Sequence, residues 1–308
     1  MSRADELGVA LDRNLQASTR AERITDALLA PPTATISPTA REAVRDRLLR
    51  RVPGLVEELP VGAQVTIGLP LLTRLARGEG VPLEPGDPFT WKPAFVRRSL
   101  GLAAIEACLV QPYRWGPSQA VGPVADRAVA EWQRTGWRTY HWEPWFAGLG
   151  GGARAAVLAE AGSWAVPLWV ALEWHRFRVP PRLGGPDDQW VCAAPRTVRL
   201  RGRSEVRATL VGEAAGGQAP PVTGTALVSV AGGVLDRRGW EAELAFLALV
   251  ASLRSPSRPV PNRVVGLWLQ SGDHRVVEIT DELLDKSASR VIAALEAVVS
   301  AGGSASGR

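Results

Sequence analysis

Near residue 189 the apolar residues change their spacing, and that change limits what this chain can fold into. Before it, Leu, Val, Ile and Ala recur every three or four positions, which places one apolar stripe on a helix. After it, apolar and polar residues alternate, as they do on a strand with one buried face. A purely helical bundle has no use for the second pattern, and an all-β barrel has none for the first. The two together predict a mostly helical N-terminal region followed by an α/β domain.

Residues 4–30 suit an amphipathic helix, ended by PPTATISPT. Ser37 as N-cap with Pro38 in the first turn opens a second helix over 38–51. Residues 60–88, rich in Pro and Gly, read as a connector holding one short helix, LLTRLAR. Further helices are expected at 93–109, 124–135 and 153–174, the last bent at Pro167. Before the last of these, GWRTYHWEPWFAGLGGG reads as a strand or extended segment feeding a tight turn. Strands are expected at QWVCA, TVRLRGRSEVRATLV, TALVSVAGG, RVVGLWLQS and HRVVEIT, with GEAAGGQAPPVTG as a flexible connection. A helix over 240–254 interrupts them, and Thr280 caps a last helix, 281–299, whose Asp281 and Glu282 suit the positive end of the helix dipole. The organisation expected is a helical region, 1–123, an α/β domain, 124–299, and a disordered tail, 300–308.

Composition narrows the function classes. Only Lys92 and Lys286 are lysines among 36 basic residues, and the net charge is +5. The codon usage of a GC-rich genome accounts for such a bias, while the excess charge permits contact with polyanions. Cys108 and Cys192 are too few for a disulfide framework or a zinc site. No stretch nears the length of a membrane span, so a cytoplasmic protein without membrane contact is expected. His141, His175 and His274 are scattered, and the pairs His141–Glu143 and Glu173–His175 each lack a third ligand, so no metal site is expected. The run Gly148 to Gly152 lacks the Gly-Lys-Ser/Thr ending of a phosphate-binding loop and reads as a helix start.

The order hairpin, strand, helix, strand, strand, helix over 190–299 resembles the RecB-type branch of the PD-(D/E)xK nuclease superfamily. Leu200-Arg201-Gly202-Arg203-Ser204-Glu205 is similar to the phrase that carries the family's first aspartate, with Glu205 in its place. Ala226 to Gly233 is similar to the strand that carries the second carboxylate and the lysine. Here those positions are Ser229 and Ala231, and Glu243 falls where the following helix would carry Gln. The resemblance implies a restriction-endonuclease-like mixed central sheet flanked by helices. It also implies that Glu205, Ser229, Ala231 and Glu243 are vestiges of a catalytic set. A hydroxyl and a methyl do not replace a carboxylate and an ammonium around Mg²⁺, and arginine holds its proton too tightly to act as a base. No cofactor is expected, and Mg²⁺ belongs only to an alternative in which a nuclease site is rebuilt around Glu205.

What remains is binding. Strand alternation would place Arg199, Arg201, Arg203 and Arg207 on one face with Glu205, where guanidinium groups match phosphate oxygens. Seven of the twelve tryptophans fall between Trp132 and Trp174. Trp137, Trp142 and Trp145 offer either a packed cluster or docking surface, or a base-stacking platform. The expectation is a catalytically inactive RecB-like protein that binds nucleic acid or scaffolds a DNA-processing, repair or defence complex, with a protein partner in that assembly. The third reading is a protein-interaction subunit docking through its Trp-rich segment.

Overall fold

The computed structural model describes residues 18–33, 36–76, 78–79, 91–111, 116–184, 188–193, 196–212, 221–231, 240–254, 260–269 and 271–305. In chain order the elements are α1 (18–29), α2 (Pro38–Leu55), β1 (Gln64–Gly68), α3 (Leu69–Ala76), α4 (Pro93–Val110), α5 (Pro117–Thr135), α6 (Glu143–Ala147), α7 (Gly151–Val170), β2 (Arg182–Leu183), β3 (Asp188–Ala193), β4 (Thr197–Gly202), β5 (Val206–Val211), β6 (Val222–Ala231), α8 (Trp240–Arg254), β7 (Pro261–Trp268), β8 (Asp273–Glu278) and α9 (Asp281–Ala305). The protein is thus mixed α/β, with a helical N-terminal region followed by mixed sheets flanked by helices. It divides into two units, Met1–Leu29 with Asp87–Arg178, and Ala30–Gly86 with Val179–Arg308.

In the first unit α4, α5 and α7 pack on one another. Val96, Leu100, Ala104 and Cys108 recur at helical spacing on α4 and are buried with Ala120, Val121, Val157 and Ala161. Gly101 lets α7 come close, because a Cβ there would stand 2.7 Å from the ring of Trp164. In the second unit the organising element is α8. Every residue from Leu244 to Leu253 is buried, as expected of a helix apolar on all sides. It packs on β3 and β4 in one direction and on β7 and α9 in others.

The strands around α8 form two sheets, one ordered β1-β4-β3 and the other β2-β5-β6-β7-β8. In the first, β1 runs parallel and β3 antiparallel to the central β4. In the second, β5–β6 is antiparallel, β6–β7 is parallel across the α8 crossover, and β7–β8 is antiparallel. Asp188, on β3, joins the sheets. It is buried, ion-paired to Arg207 of β5 and, at 2.6 Å, to Arg254 at the end of α8.

Several expectations are corrected. The run 197–211 is two strands, not one: β4 and β5 belong to different sheets, and Arg203–Glu205 forms the bend between them. The bend follows Gly202, which sits directly on α8 with its missing Cβ 3.1 Å from Val250. The connector 60–88 contains a strand, β1, stabilised by a ladder with the distant β4. Helix α5 starts at Pro117 rather than near 124. Pro123 lies on its exposed side, so the carbonyl that loses an N–H partner is left to solvent. The aromatic segment is a bend followed by the short helix α6 rather than a strand, and α7 stops at Val170. Helix α9 continues to Ala305, through part of the expected tail. The first half of the helix expected at 4–30 lies outside the described residues, as does most of GEAAGGQAPPVTG.

Other signals hold. Pro38 does open α2, although Ser37 makes no side-chain cap; its N–H donates instead to Asp281 Oδ1 at 3.1 Å. Thr280 Oγ1 accepts the Leu283 N–H at 3.2 Å at the start of α9. Among the described residues no helix is long and apolar enough to cross a membrane.

The central position of α8 has a measurable consequence. Leu247→Ala should cost roughly 2–5 kcal/mol of unfolding free energy, whereas Val191→Ala on the exposed sheet face should stay within about 0.5 kcal/mol. Equilibrium denaturant unfolding checks both.

Candidate nucleic-acid interface

The three-stranded sheet has one face on the core and one away from it. Ile67, Trp190, Cys192, Val198 and Leu200 point inward and join the core built on α8. The alternate positions are Gln64, Thr66 and Gly68 on β1, Thr197, Arg199 and Arg201 on β4, and Gln189 and Val191 on β3. All of them are half-buried or exposed. Across the sheet, Thr66, Arg199 and Val191 form one row, and Gly68, Arg201 and Gln189 the next. None of these outward residues is acidic. Arg199 and Arg201 stand on the central strand, two residues and so about 7 Å apart along the chain.

Other arginines of this unit are engaged within the protein. Arg47 pairs with Asp285, Arg51 with Glu296, Arg263 with Glu278, and Arg207 and Arg254 with Asp188. Arg41 and Arg196 donate to the carbonyls of Ser252 and Leu59. Arg199 differs: its Nε is buried without a hydrogen-bond partner, and no carboxylate pairs with it among the described residues. A buried donor left unsatisfied is costly, so a phosphate oxygen reaching this guanidinium would relieve a cost already present.

Of the four arginines expected on one face, the structure keeps Arg199 and Arg201 together. Arg203 is exposed in the bend after β4, and Arg207 belongs to the other sheet, held by Asp188. The alternation rule is obeyed within each strand but does not carry across the bend.

Glu205, Ser229 and Ala231, three of the positions that the resemblance singles out, lie close together at the edge where β5 begins and β6 ends. Glu205 N–H donates to the Val228 carbonyl at 2.8 Å, and Glu205 Oε2 accepts the Val230 N–H at 2.6 Å, between Ser229 and Ala231. The carboxylate is 4% exposed. Beside it in the sheet, Ser229 pairs with Gly266 and Ala231 with Trp268. The Trp268 ring fills the space that a Cβ on Gly266 would need, at 2.6 Å. Leu227, on the same side of β6, is fully in the core. Glu243 is half-buried and accepts the Thr73 hydroxyl at 2.6 Å. Lys286 pairs with Glu282 on the exposed side of α9. Glu205, Ser229 and Ala231 thus lie at a strand junction, and no group of three or more His, Cys, Asp or Glu that would hold a metal occurs among the described residues.

The aromatic segment divides by burial. Trp142 is wholly buried, donates its indole N–H to Ser99 Oγ at 3.2 Å, and stacks on Tyr140 with centroids 5.5 Å apart. It is a core residue. Trp145 is half-buried against the same cluster, and Trp137 is 72% exposed. Burial, and then the charges of Glu106 and Glu143, push the Tyr140 hydroxyl pKa up. Burial also raises both cysteine thiols, which stay protonated and weakly nucleophilic. His141 and His175 are exposed, on different segments. Sequence reasoning missed Asp188, whose role as a junction becomes visible only once β3, β5 and α8 converge.

The geometry makes Glu205 a structural acceptor. Glu205→Ala should lower stability by roughly 1–3 kcal/mol, because the Val230 amide loses its partner. Mn²⁺ or Mg²⁺ should leave the Tm of the unsubstituted protein unchanged. A metal-induced rise in Tm that disappears in Glu205→Ala would instead place a metal on this carboxylate. Neither the models of known protein families nor the curated proteins contain a match to this chain.

Proposed function

We propose that this protein is a non-catalytic relative of the RecB-type PD-(D/E)xK nucleases that binds nucleic acid through the outer face of its three-stranded sheet. The observation that carries the binding role is Arg199, whose Nε is buried without a partner among the described residues, on a sheet face that carries a second arginine and no acid. Thr66 and Gln189 flank the two arginines in register and add neutral donors for phosphate oxygens. No aromatic ring stands among the outward positions, so this face suits the backbone of a strand and gives no readout of bases.

Two observations support the kinship and the loss of chemistry. One is the order of β5, β6, α8 and β7, with an antiparallel pair followed by a parallel pair across a helix. The other is the convergence of Glu205 with Ser229 and Ala231 at the place where the resemblance expects a catalytic set. A single buried carboxylate bonded to a backbone amide lacks the second anionic ligand that a hard dication requires. The protein would act in the cytoplasm, as its two buried, separate thiols suit, contributing affinity for nucleic acid to a DNA-processing or defence assembly.

Counterion release makes the proposal quantitative. Each phosphate neutralised adds about 0.7 to the slope of log K against log salt on single strands, and about 0.9 on duplex. The double substitution Arg199→Gln/Arg201→Gln should therefore flatten the slope by about 1.4 on single strands or about 1.8 on duplex, with the fold retained by circular dichroism. Fluorescence anisotropy over a salt series measures it, and an unchanged slope would sink the proposal.

A further inference from the structure

The loop between α5 and α6 holds one large aromatic in the open. Trp137 is 72% exposed, and Gly136, Arg138, Thr139 and His141 around it are exposed as well. The loop is nevertheless fixed at both ends. At its start Gly136 adopts φ 71 and donates to the Trp132 carbonyl at 2.7 Å, closing α5 in the left-handed cap that glycine favours. The Thr135 hydroxyl donates to the Glu131 carbonyl and accepts the Trp137 N–H at 3.0 Å. At its end the Tyr140 N–H donates to Glu143 Oε1 at 2.8 Å, and the Tyr140 ring stacks on the buried Trp142. Just after Tyr140, His141 adopts φ 66, a conformation uncommon outside glycine, which turns the chain from the exposed loop into the core. A Trp left in water on a loop held this firmly has already lost much of the conformational freedom that binding would remove.

The chemistry around Trp137 narrows what it meets. Arg138 has no partner among the described residues, and the segment 136–141 contains no acid. Of the nearby carboxylates, Glu131 pairs with Arg134, and Glu143 accepts the Tyr140 N–H through Oε1 while its Oε2 is buried. The core of a protein–protein interface is depleted in Lys, Glu and Asp and surrounds its anchor mostly with apolar groups. Trp137 is instead flanked in the chain by glycine, arginine and threonine. An indole face beside an unpaired guanidinium matches a base stacked next to its own phosphate.

We infer that the 136–141 loop is a contact for single-stranded nucleic acid, with Trp137 stacking on an unpaired base and Arg138 engaging the adjacent phosphate. The inference rests on the reading above only in taking nucleic acid as the ligand; its residues, and the property it assigns, are different. The sheet face supplies charge without regard to strandedness, whereas a stacking Trp requires a base that is not already stacked in a duplex.

The test compares oligo(dT) with a blunt duplex, using the full chain and the variants Trp137→Ala, Trp137→Phe and Arg138→Gln. Because Trp137 is exposed, these variants should fold, which circular dichroism checks. Trp137→Ala should weaken oligo(dT) binding by roughly 5- to 150-fold, the loss of one stacked base, without changing its salt slope. Duplex binding should hold within about twofold, Trp137→Phe should recover part of the loss, and Arg138→Gln should flatten the slope on oligo(dT) by about 0.7. Unchanged oligo(dT) binding by Trp137→Ala would overturn the inference even where Arg199 and Arg201 still govern the salt slope. An equal loss on both ligands would overturn it too, as would Trp137-dependent binding to anionic lipid vesicles with none to oligo(dT).

Discussion

The second unit depends on one helix having no face for water. Ten consecutive residues of α8 are buried, and a helix apolar all round must be enclosed. One sheet covers one side of a helix. Here a second sheet and α9 cover the rest, and the chain must leave one sheet and enter the other at some point. It does so at Arg203–Glu205, immediately after Gly202 settles onto Val250 without a side chain between them.

That crossing decides what the charged residues can do. It leaves Arg199 and Arg201 on an acid-free face of the first sheet and sends Arg207 to the second, where Asp188 holds it. It also places the Glu205 carboxylate against the end of β6, where the Val230 amide satisfies it. The structural demand at this corner is compatible with the proposed loss of metal ligands, because a buried carboxylate bonded to the backbone is satisfied with no metal beside it. Several other arginines of this unit are held within it, and pairs such as Arg263–Glu278 and Arg47–Asp285 hold neighbouring elements together. Arg199 stands apart from that pattern.

The sequence made the broad architecture legible because periodicity reports burial. The change from three-four spacing to alternation near residue 189 separated the helical region from most of the strands, and 240–254 was read as a helix at the bounds it has. It was less informative wherever a non-local contact decides the outcome. QVTIG becomes a strand because β4 offers a ladder far along the chain. TVRLRGRSEVRATLV alternates across its whole length, yet α8 forces a break at its middle. The helix expected from 124 begins at Pro117, because a proline's tolerance depends on which side of the helix meets water, and Pro123 lies on the exposed side. Of the candidate site, the Arg199–Arg201 pair was readable from strand parity. The pairing of Arg207 with Asp188 was not, nor was the burial of Trp142, because neither follows from neighbours in the chain.

On the proposed reading the outer sheet face holds a phosphate backbone while the Glu205 corner holds no metal. A crystal structure of the protein with an oligonucleotide and Mn²⁺, read with anomalous diffraction, tests both parts at once. Phosphate oxygens are expected at the guanidinium groups of Arg199 and Arg201, with Glu205 still bonded to the Val230 amide. A manganese peak on Glu205, with the nucleic acid lying over Ser229 and Ala231 instead, would contradict it.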